Sequence, residues 1–163
     1  MASVPQPPCP EPPFEPPFGP PFGPVLHEDR LNYAPVAGSV TLARHRAVQL
    51  VTEWGYPELA WSVGLVVSEL GTNALMHGCI RGRLFQVRNV LRAGTLRVEV
   101  GDPRGERLPY ARVPAEGECF GRGLRIVAEV ADRWGTGPRC VGKAVFAEFD
   151  VRDVRNGVGT PGG

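Results

Sequence analysis

Apolar residues recur along this chain with two periods, and the switches between them mark out its elements. From Pro57 to Gly78 the spacing is helical: Leu59, Val63, Val66, Val67, Leu70 and Ala74 share one arc, suited to packing on a sheet. Pro57 stands near a first turn, and Gly78 where a glycine stop belongs. An earlier stretch, Ser39 to Trp54, repeats that spacing through Val40, Ala43, Ala47, Val48, Leu50 and Val51, with Ser39 as its expected N-cap. After Gly78 the period falls to two. Leu84 to Leu91 carries Phe85, Val87 and Val90 between polar neighbours, and Thr95 to Val100 sets Leu96, Val98 and Val100 inward against Arg97 and Glu99 outward. Arg92-Ala93-Gly94 turns between them, which predicts an antiparallel hairpin. Val145 to Val151 alternates as a last strand, and Leu26 to Tyr33, ended by Pro35, is a further strand candidate. A third helix is expected through Leu124, Val127, Ala128, Ala131 and Trp134, with Gly135 as its stop. Between the hairpin and that helix, Glu106 to Phe120 has no period and contains Pro109, Pro114 and Gly117. It reads as a loop of the length often found in functional lids.

The polar positions of the central helix are more selective than a solvated face requires. Glu69, Asn73 and His77 lie within about 80° of one another, with neighbours about 6 Å apart along the axis. A carboxylate, an amide and an imidazole thus line one stripe of an otherwise apolar helix. Gly71 interrupts that helix at a cost of roughly 1 kcal/mol against alanine, so it is expected to serve packing or access. Glu-x-x-x-Asn supplies two oxygen groups able to hold a hydrated Mg²⁺ and to orient an attacking group. Asp102 follows the hairpin's second strand within Gly101-Asp102-Pro103-Arg104-Gly105, where a carboxylate either makes a turn or faces a ligand. Gly121-Arg122-Gly123 opens the third helix, leaving backbone N–H groups for an anion beside the helix dipole; a flexible entry is the plain alternative.

Composition narrows the picture without deciding it. The 163 residues suffice for one domain with a core, and a formal net charge of +1 gives no overall field for nucleic acid. Seventeen arginines are spread along the chain with a single lysine, Lys143. No apolar run approaching the ~20 residues of a membrane span is expected, nor a secretion leader. Cys9, Cys79, Cys119 and Cys140 are scattered without a C-x-x-C pair, which fits reduced cytoplasmic thiols. Residues 1–24 hold eleven prolines and the phased string Pro12-Pro13-Phe14, Pro16-Pro17-Phe18, Pro20-Pro21-Phe22. They read as a disordered Pro-rich tail with polyproline-II bias, either uncommitted or a docking peptide. The expected organisation is therefore a tail at 1–24, a folded domain at 25–152 and a Gly-rich C-terminus at 153–163.

The order of these motifs resembles the histidine-kinase-like (GHKL) ATPases, and among them the small bacterial anti-sigma-factor serine/threonine kinases and single-domain regulators. The likeness spans roughly residues 35–152. Ser68-Glu69-Leu70-Gly71-Thr72-Asn73-Ala74-Leu75-Met76-His77 is similar to the family's N box, Asp102 to the first residue of its G1 box, and Gly121-Arg122-Gly123-Leu124 to its G2 box. Gly142-Lys143-Ala144 resembles the entry to the last strand. The resemblance implies the Bergerat ATP-binding fold: an α+β two-layer α/β sandwich, a mostly antiparallel sheet with helices on one face.

It also implies ATP and Mg²⁺ as ligands, with Asn73 on the metal, Glu69 as general base and Asp102 on the adenine amino group. Gly105, Gly121 and Gly123 would allow close backbone approach; Arg122, Leu124 and Lys143 would complete the binding set. The implied partners are a sigma factor and an anti-anti-sigma-type antagonist protein, with no direct nucleic acid and no membrane, in the cytoplasm; homodimerisation is an expectation of the resemblance alone. Two departures stand out. Asp102 is followed by Pro103 and Arg104 rather than the fuller Asp-x-Gly-x-Gly pattern, and Ala144 replaces a residue that often carries a hydroxyl. No phosphoacceptor-histidine domain is recognisable, which points away from an autophosphorylating sensor kinase. Three functions remain open: phosphotransfer to a protein hydroxyl, a non-catalytic nucleotide-dependent switch, and a domain acting by protein contact alone.

Overall fold

Helical and alternating stretches resolve into three α-helices and five strands among the described residues, which in this computed structural model are 23–78, 84–102, 120–138 and 143–152. Strand β1 (Val25–Tyr33) leads to α1 (Ala37–Glu53), and a 3-10 turn at Pro57–Leu59 leads to α2 (Ala60–Gly78). Strands β2 (Phe85–Arg92) and β3 (Thr95–Asp102) follow, then α3 (Phe120–Val130), β4 (Arg133–Pro138) and β5 (Lys143–Asp150). The sheet order is β1-β2-β3-β5-β4, antiparallel at every pairing. With the helices packed over one face, this is the α+β two-layer arrangement that the patterning implies.

The core lies between those layers. Val63, Val66, Val67 and Leu70 of α2 meet Val51 and Ala47 of α1, Val127 of α3, and Val87, Leu96, Val98 and Phe149 of the sheet. Each valine removed from water in this way contributes roughly 1.5–3 kcal/mol. By length and composition Pro57–Met76 would be apolar enough to cross a membrane, at a mean hydropathy of 1.2. Its apolarity has another explanation, because the same residues are the centre of the core.

Gly71 serves packing. A methyl group there would meet Val40 Cγ1 at 3.2 Å, and one at Gly64 would meet Val48 Cγ2 at 3.0 Å. The two glycines, two turns apart, let α1 lie close along α2. Gly94, at φ +83°, supplies the left-handed residue of the β2–β3 turn.

Two boundaries differ from expectation. Ser39 does not cap α1: Val36, extended at φ −129° and ψ 150°, is the N-cap residue, and its carbonyl accepts the Ser39 N–H at 3.0 Å. Ser39 itself is buried inside the first turn. The third helix stops at Val130, and Trp134 and Gly135 belong to β4, paired with Ala147 and Phe146. Asp132 makes the break. Its N–H donates to the Glu148 carbonyl at 3.0 Å, and its carboxylate accepts the Asp150 N–H at 2.7 Å, so β5 draws the following residues into the sheet edge. Gly135 leaves room there for the Phe146 ring, 2.8 Å from where a Cβ would be.

The sheet face without helices is closed by charge. Arg30, Glu28, Arg88, Glu99, Arg97, Glu148, Arg133 and Asp150 alternate in sign across all five strands, joined by contacts of 2.6 to 3.4 Å. Arg97 and Glu99 do point away from the core, as alternation predicts. Arg97 is nevertheless only 8% exposed and Glu148 3%, since the ladder and the Phe146 ring beneath Arg97 cover them.

Candidate nucleotide-binding site

Chain direction decides which residues share an end of the domain. β1 runs toward Tyr33, α1 runs back along it (Trp54 stacks on His27), and α2 returns, so the C-terminal half of α2 lies at the Tyr33 end. Tyr33 pairs with Phe85 at the start of β2, and β3 runs back to the same end, where Gln86 pairs with Gly101. Asp102, the last residue of β3, therefore sits at the end to which Glu69 and Asn73 belong. Lys143, first in β5, is its register partner. Gly101, Ala144 and Gly137 line up beside them on three adjacent strands.

The third helix closes over the polar stripe. Glu69 and Asn73 are each half-buried on α2. A methyl group on Gly123 would lie 2.9 Å from Glu69 Oε2 and 3.4 Å from Asn73 Nδ2, so the first turn of α3 rests directly on both groups. Neither side chain has a hydrogen-bond or ion-pair partner among the described residues. The glycine at 123 is what allows this approach. Any side chain would separate the helices or fill the seam.

The other expected residues distribute around this contact. Gly121 and Arg122 share the first turn of α3, inside the helix rather than ahead of it, and Arg122 is exposed. Leu124 is half-buried and packs against the core, so its role is to fix α3. Asp102 and Lys143 are brought side by side by register. Gly105 and, but for Phe120, which opens α3, the stretch Glu106 to Phe120 expected as a loop lie outside the described residues, and His77 is placed only by its backbone, in the last turn of α2. Sequence reasoning missed Gly64, whose spacing of seven from Gly71 was the available signal for a close helix pair, and the edge strand β4, whose alternation is diluted by glycine.

This donor set fits an ATP-type ligand. Two half-buried polar groups without partners among the described residues face the first turn of a helix, where the dipole favours an anion, and Asp102 and Lys143 are register partners at adjacent strand ends. A family profile described as the histidine kinase-like ATPase domain matches residues 34–144. The chain belongs to that family. Its members' domain implies ATP as the ligand and an antiparallel α/β sandwich as the fold, in agreement with the architecture above. Comparison with curated proteins returned no match.

Proposed function

We propose that this domain is an ATP-dependent regulator of the anti-sigma-factor kinase type, transferring phosphate to a serine or threonine hydroxyl of a small antagonist protein. One observation carries the reading: Glu69 and Asn73 stand side by side, half-buried and without protein partners among the described residues, in contact with the glycine-bearing first turn of α3. Asn73 would offer its carboxamide oxygen to Mg²⁺, and Asp102 would accept a hydrogen from the adenine amino group. Gly121, Gly123 and, beyond the described residues, Gly105 would let the backbone approach the nucleotide closely. Arg122 and Lys143 would lie within reach of the phosphates. Bound Mg·ATP supplies an activated phosphoryl group with its charge partly neutralised. Glu69 would take the proton of the incoming hydroxyl, a role that depends first on its reach to that hydroxyl.

Thermal shift tests the first half. At Mg·ATP a hundredfold above Kd, stabilisation of about 2.7 kcal/mol is expected, and it should vanish in Asn73→Ala. No shift in the wild type, or an equal one in the variant, would falsify the site. Labelled-phosphate transfer to a captured antagonist, lost in Glu69→Ala, tests the second half. A non-catalytic switch is the second reading, favoured by the same contact: Glu69 lies under α3, where nucleotide occupancy can set the position of that helix without any transfer. Nucleotide binding with no transfer to any captured partner would select it. In either case the expected partners are a sigma factor and its antagonist, and a homodimer would show as twice the monomer mass in light scattering.

A further inference from the structure

The two ends of α3 are held by different forces. Its later turns are anchored by apolar burial, with Val127 fully buried and Leu124 and Val130 packed on the core. Its first turn meets α2 at Gly123, against Glu69 Oε2 and the Asn73 carboxamide. Gly123 is the fourth residue of the helix, so it lies in the first turn, where the helix dipole is positive. A carboxylate is the favoured neighbour of such a turn. Glu69 is therefore an anion of the chain's own, placed where the phosphates of a bound nucleotide would bring theirs.

Building on the ATP reading, we infer that Glu69 is an internal latch: its carboxylate holds the first turn of α3 down on α2, and entering phosphates compete with it for that turn. The charge that serves a hydroxyl's proton in the loaded site keeps the unloaded site closed. Removing the charge should loosen the first turn and, because less of the protein is then held in the closed form, raise apparent nucleotide affinity.

The test uses the full chain without nucleotide and then with Mg·ADP. Hydrogen exchange of the α3 amides should speed up about two- to fivefold in Glu69→Gln, the range expected for loss of a carboxylate at a helix start. Mg·ADP affinity by calorimetry should rise by a comparable factor. Gly123→Ala, which forces a methyl group into the contact, should accelerate the same amides by separating the helices. Tighter binding with unchanged exchange in Glu69→Gln would mean that the carboxylate only repels phosphate, and this overturns the latch. So would exchange and affinity both unchanged. Wild-type titration separates the two ideas: no Mg·ADP binding by the wild type strikes the ATP reading, whereas binding with an α3 indifferent to residue 69 strikes the latch alone.

Discussion

Arg97 and Glu148 are joined by a 2.7 Å hydrogen bond on the sheet face that no helix covers, and both are nonetheless buried. Their neighbours Glu99 and Arg133 complete each charge, which is how ions remain stable there. Removing one partner strands the other. Glu148→Ala should therefore destabilise the fold by about 3 kcal/mol, and Asp150→Ala, at the exposed end of the ladder, by under about 1 kcal/mol. Urea denaturation of the two variants measures the difference; equal losses would mean that the ladder is not energetically graded by burial.

The ladder also sets an acid limit. The hydrogen bond from Arg88 holds the Glu28 carboxyl below the ordinary carboxylate range, with burial pulling the other way, and the one from Arg133 does the same for Asp150. A carboxyl whose pKa is lower in the folded chain contributes stability above its unfolded value and loses it as pH falls through the folded one. The urea midpoint should hold at neutral pH and decline below about pH 4. The gap between wild type and Arg88→Ala should narrow over that same interval.

Gly64 and Gly71 should resist substitution although both are helical. Alanine is favoured over glycine by roughly 1 kcal/mol in an isolated helix. Here its methyl group would meet Val48 at 3.0 Å or Val40 at 3.2 Å, and overpacking costs about 1–3 kcal/mol. Gly64→Ala is expected to lower Tm, and adding Val48→Ala to recover much of the loss. A double-mutant cycle reads that coupling directly.

Asn89 points the other way. It is 2% exposed in β2, and its Oδ1 has no hydrogen-bond partner among the described residues. An unpaired buried oxygen costs about 1–3 kcal/mol, so Asn89→Leu, of similar size, should raise Tm. A fall in Tm would indicate an ordered water bound to that oxygen.

Element type was legible where one period ran uninterrupted, as in α2, the β2–β3 hairpin and β5. Boundaries set by contacts distant in sequence were not. Residues 131–134 continue a helical pattern, and only the hydrogen bonds of Asp132 to β5 turn them away. Ser39 looks like a cap, yet the extended Val36 after Pro35 fixes the start of α1. Within the site, the side-by-side placement of Glu69 and Asn73 follows from helical spacing alone. That Gly123 would rest on both depends on how α3 packs, which no local pattern encodes. The reason for Gly71 was likewise half visible: a glycine in a helix asks for a neighbour, but Val40 is thirty-one residues away in sequence.

The Gly23 carbonyl accepts a 3.1 Å hydrogen bond from Arg92, beside the β2–β3 turn. The proline- and phenylalanine-rich segment therefore takes root one strand length, roughly 26 Å for the eight residues of β3, from the end where Asp102 stands. A protein gripping that segment near its root would be moored at the domain's far shore, leaving the doorway of the proposed nucleotide site clear.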